Sequence, residues 1–211
     1  MILKGIAMKR TGLLLLMTLL VPATIARADD FDRLSRESSR ISTISADFVQ
    51  KKIMKILSKP LISEGKFYYA APDSIRWEYQ KPLRSVVLSD KGKTKRYIAA
   101  SGGKMIEDKT GGAQAMKIVL DEVAGWMKGK FTGNPSFTAV LREGANTQII
   151  LTPVGKNMAG MIEKIEITVS RKDASVKSVR IVESATAETR IDFLHVAINQ
   201  HIPPSVFQDV P

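Results

Sequence analysis

Apolar and polar side chains alternate along most of the chain after residue 47. The clearest run is Ser74–Gln80, where Ile75, Trp77 and Tyr79 face one side and polar residues face the other. A period of two predicts a strand with one buried face. Similar runs bounded by turn residues predict nine further strands, which are Asp47–Ser58, Leu61–Ala70, Ser85–Ser89, Lys95–Ala100, Ser136–Arg142, Thr147–Thr152, Met161–Ser170, Val176–Val182 and Thr189–Val196. About ten strands with short connections predict an antiparallel sheet that curves towards a barrel.

Two other segments carry apolar residues at helical intervals. The first runs from Asp29 to about Ser42 and begins with two acids, which the helix dipole favours there. The second, Ala113–Lys128, places its apolar side chains on one face and is flanked by glycines. A single amphipathic helix inserted among strands has to lie against the sheet or across its open end. The C-terminal residues 202–207 contain two adjacent prolines and are predicted to be extended.

The N-terminal residues have the layout of a secretory signal peptide. Basic residues precede the apolar run Gly12–Val21, and Ala26-Arg27-Ala28 matches a small-x-small cleavage site. The run is about ten residues long, whereas a helix needs roughly 20 to span a bilayer. We therefore predict a signal peptide at residues 1–28 and a single domain at residues 29–211, with an uncleaved anchor as the alternative.

Part of the positive charge of the chain lies in this predicted signal peptide. Removing residues 1–28 takes away four basic residues and no acid, which lowers the net charge from +11 to +7. A signal peptide together with the absence of cysteine fits a bacterial periplasm, so we expect no nucleic acid partner. The remaining charge favours transient contact with an anionic membrane surface or an acidic partner. Without cysteine the chain has no disulfide, no cysteine nucleophile and no lipid anchor of its own, and we expect a monomer.

Few residues suggest catalysis or metal binding. The spacing of His195 and His201 fits no familiar metal motif, and Lys91-Gly92-Lys93-Thr94 lacks the upstream glycine of a phosphate loop. We expect no metal, no cofactor and no catalytic residue. An enzyme would need a polar pair deep in a cavity, for which Glu64 and His195 are the best candidates.

The block from Phe48 to Tyr97 resembles the periplasmic lipoprotein-carrier family called LolA. The resemblance rests on Phe48-x-Gln50, Ser63-x-Gly65-x-Phe67, Pro72, Arg76-Trp77-x-Tyr79-x-x-Pro82, Val86-Val87-Leu88, Ser89-Asp90-x-Gly92 and Tyr97. It implies a mainly β fold with an unclosed, strongly curved antiparallel sheet, or half-barrel. An N-terminal helix and an inserted lid helix would then cover its apolar concave face.

The same resemblance implies a soluble periplasmic carrier without covalent chemistry. Such a carrier binds lipoprotein acyl chains in an apolar cavity. It receives lipoproteins from an inner-membrane release transporter and hands them to an outer-membrane acceptor. The sequence leaves three alternatives open: a carrier for another lipid or lipid-linked product, a cofactor-free enzyme or chaperone that uses the same cavity, and an adaptor at the membrane surface.

The candidate lipid-binding residues are large and varied. Those expected on the sheet are Phe67, Tyr69, Ile75, Trp77, Tyr79 and Leu88, and those expected on the inserted helix are Met116, Trp126 and Met127. Methionine packs well around irregular ligands. Each of these residues could also serve only as core.

One position departs from the family pattern. Members often carry arginine immediately before the proline matched here by Pro72, and that arginine ties the lid helices to the sheet. This chain has Ala71 instead. Arg76 is no substitute, because the alternation predicts that it lies on the outer face, opposite Trp77.

Overall fold

The computed structural model of the 211-residue chain describes residues 28–109, 122–155, 162–208 and 210. Its helices are α1 (Ala28–Ser38), α2 (described over residues 122–127) and a short 3-10 helix (Pro204–Phe207). Its strands are β1 (Thr43–Met54), β2 (Leu61–Ala70), β3 (Ser74–Lys81), β4 (Ser85–Asp90), β5 (Lys93–Ala99), β6 (Met105–Glu107), β7 (Phe137–Arg142), β8 (Thr147–Pro153), β9 (Lys164–Val169), β10 (Val176–Ser184) and β11 (Ala187–Ile198). All but the last residue of the predicted signal peptide lie outside the described residues, and so does Met116.

The strands form one antiparallel sheet in the order β6-β5-β4-β3-β2-β1-β11-β10-β9-β8-β7. Nearly every strand pairs with its neighbour in the sequence. The exception is the pairing of β1 with β11, which joins the two halves of the chain in the middle of the sheet. Strands β6 and β7 end the sheet without pairing with each other, so the predicted unclosed sheet is confirmed.

The inner face of the sheet packs against helices, and the apolar core lies there. The inner face carries the core, to which β1, β2, β3 and β11 contribute Phe48, Phe67, Trp77 and Phe193. Helices α1 and α2 pack against this face through buried residues such as Leu34 and Trp126. The fold therefore places its apolar core between a curved sheet and a helical cover.

The turns of the sheet lie along two edges. The β1–β2, β3–β4 and β10–β11 turns share one, which we call the β1–β2 edge; Lys55 N–H donates to the Thr186 carbonyl across it at 2.8 Å. The β2–β3, β4–β5 and β9–β10 turns lie along the other, which we call the β2–β3 edge.

Some predicted boundaries differ from the observed ones. Helix α1 ends at Ser38 rather than near Ser42, and β1 starts at Thr43, four residues earlier than predicted. Strand β6 was not predicted at all, since three residues are too few to show a period. Most other strands agree within two residues of their predicted ends.

The prediction of an extended C-terminal segment is wrong for Pro204–Phe207, which form the 3-10 helix. Proline is tolerated in the first turn of a helix, because its missing N–H has no partner to donate to there. This helix lies on the outer face of β3 and β4, where Phe207 is buried. Arg76 Nη1 donates to the Val206 carbonyl at 3.1 Å, so Arg76 lies on the outer face as predicted.

Candidate functional site

The described part of helix α2 covers the inner face of the sheet with four buried apolar side chains. These are Val123, Ala124, Trp126 and Met127. Gly129 follows the end of the helix and has a φ of +72°. Lys130 N–H donates to the Gly125 carbonyl at 2.8 Å and Gly129 N–H donates to the Trp126 carbonyl at 2.9 Å, the two bonds of a Schellman cap.

The end of α2 touches α1 closely. A Cβ on Gly129 would lie 2.7 Å from Ser35 Cα and 2.9 Å from Ser38 Cβ, so only glycine fits. Ser38 is itself buried, and its hydroxyl donates to the carbonyl of Ala174, in the β9–β10 turn, at 3.4 Å. The two helices thus form one continuous cover, anchored to the β2–β3 edge.

An apolar cavity of about 130 Å³ lies between α2 and the sheet. Strands β1, β3, β10 and β11 supply its walls. Its lining residues are Gln50, Trp77, Tyr79, Val123, Trp126, Met127, Val179, Ile181, Thr189, Ile191 and Phe193. No charged side chain occurs among these described lining residues, so the lining suits hydrocarbon rather than an ionic ligand.

The aromatic wall of the cavity is built around Trp77. Its ring centroid lies 5.1 Å from that of Phe48 and 6.2 Å from that of Phe193. Phe48 also meets Tyr79 edge to face at 5.2 Å. Gly65 makes this packing possible, because a Cβ there would lie 2.8 Å from Phe48 Cζ and 1.9 Å from the Glu78 carbonyl oxygen. The glycine of the Gly-x-Phe motif is therefore a packing requirement.

The polar groups of the wall are neutral. The Tyr79 hydroxyl donates to Gln50 Oε1 at 2.9 Å, and burial raises the pKa of Tyr79. Burial, reinforced by the nearby Asp73 carboxylate, raises the pKa of Tyr69 to about 12. The Tyr69 hydroxyl is buried and has no hydrogen-bond partner among the described residues. Both phenols stay protonated at neutral pH, so neither adds a charge to the wall or to the core beside it.

A charged cluster lies next to the cavity at the β1–β2 edge. Lys52 forms a two-pronged ion pair with Glu183, and the Thr189 hydroxyl donates to Glu183 Oε1 at 2.8 Å. Burial alone would raise the pKa of the Glu183 carboxyl, but the hydrogen bonds from Lys52 and Thr189 hold it below its usual value. We call Lys52, Glu183 and Thr189 the rim cluster. Lys52 and Glu183 stand two residues beyond Gln50 and Ile181 on their strands, and Thr189 is the lining residue of β11 nearest the same edge.

Only some of the nine predicted binding residues line the cavity in the structure. Trp77, Tyr79, Trp126 and Met127 line the cavity. Phe67, Tyr69 and Ile75 lie on the same inner face as buried core next to it. Met116 lies outside the described residues.

The placement of Leu88 on the concave wall is wrong. Leu88 pairs with Arg76 on the outer face, and Val87 is the residue of β4 that faces inward, opposite Trp77. Every residue of Val86-Val87-Leu88 is buried, because the C-terminal 3-10 helix covers the outer face there. Because both faces of this strand are buried, its sequence does not alternate between apolar and polar residues. The sequence therefore could not identify Val87 as the inward residue.

Several lining residues were not among the sequence candidates. Gln50 was noted only as part of a motif, and Val179, Ile181, Ile191 and Phe193 come from the two strands furthest along the chain. The alternation in β10 and β11 assigns these residues to one face. It cannot reveal that this face meets β1 and α2.

The two candidate enzyme residues do not converge on the cavity. Glu64 pairs with Lys81 at 3.0 Å. His195 is exposed, and its Nδ1 lies 2.9 Å from Asp47 Oδ2. Among the described residues, no three His, Cys, Asp or Glu side chains are close enough to share a metal ion.

A comparison with protein families matches the model described as "Outer membrane lipoprotein carrier protein LolA" over residues 39–209. A search of curated proteins finds no match. Within the described ranges, no helix has the length and apolar character needed to span a bilayer.

Solved structures resemble this fold at low sequence identity. An uncharacterized conserved protein from Thermus thermophilus is 10% identical with a TM-score of 0.54, over 87% of this chain and 94% of that one. The Pseudomonas aeruginosa MucA/MucB complex contains a chain that is 14% identical with a TM-score of 0.49, over 86% of this chain and 60% of that one. A DUF1329 family protein from Desulfovibrio piger is 10% identical with a TM-score of 0.48, over 85% of this chain and 95% of that one.

Proposed function

Because the chain belongs to the outer membrane lipoprotein carrier family, LolA, we propose that it is a periplasmic carrier of lipoproteins. It binds their acyl chains under α2 and transfers them from the inner to the outer membrane. It receives them from an inner-membrane release transporter and delivers them to an outer-membrane acceptor. Binding and release involve no covalent step, so the protein is a carrier rather than an enzyme.

The observation that carries this proposal is the uncharged cavity between α2 and the sheet. Aromatic and aliphatic side chains make up most of its lining, and Trp126 and Met127 close it from above. Pockets for small molecules commonly have volumes of about 300–1,000 Å³. At about 130 Å³ the cavity is smaller than that range. An acyl chain can therefore enter only if α2 moves away from the sheet.

The energetics favour a cover that must be displaced. Burial of an acyl chain gains about 0.8 kcal/mol per methylene, so a chain of roughly 16 carbons gains about 13 kcal/mol. Several chains held with that full gain would exceed the practical limit of non-covalent affinity and could not be released. Lifting Trp126 and Met127 from the core costs part of that gain. The cover thus lowers the net affinity to a range that permits transfer.

The test is to identify the cargo. The protein is purified from periplasm and examined by native mass spectrometry, and it is incubated with spheroplasts that carry a lipoprotein-release system. We expect co-purified lipoprotein and lipoprotein release into the medium. Free phospholipid in place of lipoprotein would indicate a carrier of another lipid. An empty protein that extracts nothing would contradict the carrier function.

A matched pair of variants links the cargo to the cavity. Ile181 is half-buried and lines the cavity, whereas Ile150 is a half-buried isoleucine of β8 that does not. Ile181→Glu places a charge against the acyl chain, which costs several kcal/mol if the charge stays unpaired. We expect at least tenfold weaker binding of a fluorescent fatty acid by Ile181→Glu and little change with Ile150→Glu. Equal loss in both variants would argue against this cavity as the binding site.

A further inference from the structure

The connection between β1 and β2 exposes several large apolar side chains. Ile56 is 90% exposed, and Leu83 in the β3–β4 turn of the same edge is 80% exposed. The set consists of Ile53, Ile56, Leu57, Leu61, Ile62 and Leu83, each at least 37% exposed, and we call it the apolar tip. Contiguous exposed apolar residues on a folded protein mark a surface that contacts a partner or a membrane.

The same connection is strongly basic. Residues 51–62 read KKIMKILSKPLI, with four lysines and no acid. Lys51, Lys55 and Lys59 are exposed. Apolar residues interleaved with lysines are typical of segments that bind the interface of an anionic bilayer, where the apolar groups insert and each basic residue adds about 1 kcal/mol.

The apolar tip lies next to the cavity. Gln50 and Ile181 are the cavity residues of β1 and β10 nearest the β1–β2 edge, and the rim cluster follows them. From Lys52 the strand β1 continues directly into the tip. A surface that contacts the tip therefore faces the end of the cavity that the rim cluster borders.

We propose that the apolar tip docks on the surface of an anionic phospholipid bilayer, with Ile56 and Leu83 inserted among the lipids. Docking brings the rim cluster and the cavity against the membrane, so that acyl chains pass between bilayer and cavity without crossing water. This inference rests on the proposed carrier function and adds the site at which the carrier meets lipid. The occupant is a bilayer rather than a protein, because the exposed apolar residues lie at one edge of the sheet beside a run of lysines that contains no acid.

Vesicle binding tests the apolar part of the tip. We expect the cargo-free protein to co-sediment with phosphatidylglycerol-containing vesicles and to bind phosphatidylcholine vesicles weakly. The double variant Ile56→Ser/Leu83→Ser should bind at least about tenfold more weakly, since each side chain loses its burial in lipid. Leu194→Ser is the control, because Leu194 is 43% exposed but lies near the β2–β3 edge. Both variants alter exposed positions, so the fold should be unchanged by circular dichroism.

A second pair of variants tests the charge. Lys55→Gln/Lys59→Gln should weaken binding to the anionic vesicles by about fivefold per lysine and reduce its salt dependence. Lys93→Gln/Lys95→Gln removes the same charge from two exposed positions in β5 and should have a smaller effect. Equal effects in the two pairs would mean that net charge alone, and not the tip, attracts the membrane.

The absence of cysteine allows insertion to be measured directly. Ile56→Cys carries the only thiol in the chain and can be labelled with an environment-sensitive fluorophore. We expect a several-fold rise in emission on anionic vesicles, and none for the same label at Leu194→Cys. An unchanged signal at residue 56 would overturn the proposal. So would a label that responds only to a protein acceptor or to the release transporter.

The proposed carrier function and the proposed docking of the apolar tip can be tested independently. Binding of a fluorescent fatty acid in solution is measured for every variant. If the tip variants bind vesicles as the wild type does while fatty-acid binding is intact, the tip proposal is wrong and the carrier function stands. If the wild-type protein binds no fatty acid, the carrier function is wrong whatever the vesicles show.

Discussion

Among the described glycines, Gly65 leaves the least room for a side chain. It lies opposite Phe48 on β1 and beside the register shift between β2 and β3. The absent side chain lets the Phe48 ring cross over the backbone of β2 to reach Trp77 and Tyr79. Three strands are thereby joined by one aromatic contact, and that contact forms part of the cavity wall.

We expect Gly65→Ala to destabilise the protein strongly. The added methyl would stand 1.9 Å from the Glu78 carbonyl oxygen, which belongs to the backbone and cannot rotate away. Overpacking of this kind costs about 1–3 kcal/mol, and contact with backbone places this variant at the upper end. Urea unfolding monitored by tryptophan fluorescence measures the loss.

Gly125→Ala provides the comparison for Gly65→Ala. Its Cβ would have only ordinary contacts, at 3.9 Å or more. Alanine is also the better helix former. We expect unchanged or slightly higher stability. If Gly65→Ala proved equally neutral, the close packing of Phe48 over β2 would be incorrect.

The rim cluster should make stability depend on pH in the acid range. The pKa of Glu183 is held below its ordinary value of 4.5, so the ion pair stabilises the fold above about pH 4.5 and is lost as the pH falls through the lowered pKa. Glu183→Gln should cost up to about 1 kcal/mol at pH 7 and almost nothing at pH 3. Urea unfolding at the two pH values measures the difference. The exposed Glu163→Gln should show a smaller change with pH.

For single residues, Val87 and Leu88 show when alternation in the sequence fails to reveal which side chain faces inward. Alternation placed Trp77 and Tyr79 on one face of β3, because a polar residue stands between them, and in the structure both side chains line the cavity. Strand β4 has no polar residue in Val86-Val87-Leu88, so the pattern carries no information about direction. The covering segment comes from residues 204–207, more than a hundred residues away. Local sequence cannot reveal such distant coverage.

Among the structural elements, most strands were predictable, but the pairing that joins the two halves of the sheet was not. Most strands show their own period of two in the sequence. The pairing of β1 with β11 depends on contacts between residues about 150 positions apart, such as Phe48 with Phe193. That pairing brings β10 and β11 to the cavity. The sequence therefore offered candidates from β2, β3, β4 and the inserted helix, and none from β10 or β11.

Helices α1 and α2 act as one cover because Gly129 allows them to touch. We expect Gly129→Ala to separate them, since its Cβ would lie 2.7 Å from Ser35 Cα and its φ of +72° disfavours alanine. Hydrogen exchange of the backbone amides in residues 122–130 should become faster. Uptake of a fluorescent fatty acid should also become faster, since a loosened cover opens more often.

Gly133→Ala is the control that distinguishes the loss of the contact with α1 from the effect of backbone strain. Gly133 has a similar φ of +84°, but no heavy atom lies within 4 Å of its would-be Cβ. Alanine at this position meets only the conformational penalty. A similar acceleration of uptake in both variants would mean that strain, and not the contact with α1, loosens the cover.

For the molecule as a whole, core and cavity occupy the same space. The inner face of an unclosed sheet has no second sheet to cover it, so helices α1 and α2 complete the core. Any ligand that enters must therefore replace part of the core with its own hydrocarbon. Such an exchange would keep the loaded and empty states close in free energy, as the proposed carrier function requires.

The last prediction concerns how the molecule closes. Ala71 is exposed in the β2–β3 turn, where family members often carry an arginine that ties the lid to the sheet. Asp73 of this turn borders a groove of about 200 Å³ together with Gly125, Lys128 and Lys130 at the end of the cover. An arginine at position 71 would add a cation near the C-terminal end of α2, where the helix dipole attracts positive charge, worth about 0.3–1 kcal/mol.

We expect Ala71→Arg to slow the release of a bound fluorescent fatty acid by about two- to fivefold. Transfer to acceptor vesicles measured by stopped flow gives the rate. Ala185→Arg is the control, because Ala185 is an exposed alanine in the β10–β11 turn at the opposite edge. Unchanged loading and release in Ala71→Arg would mean that this branch closes without the family's latch. The contact of Gly129 with α1 would then be what keeps the cover in place.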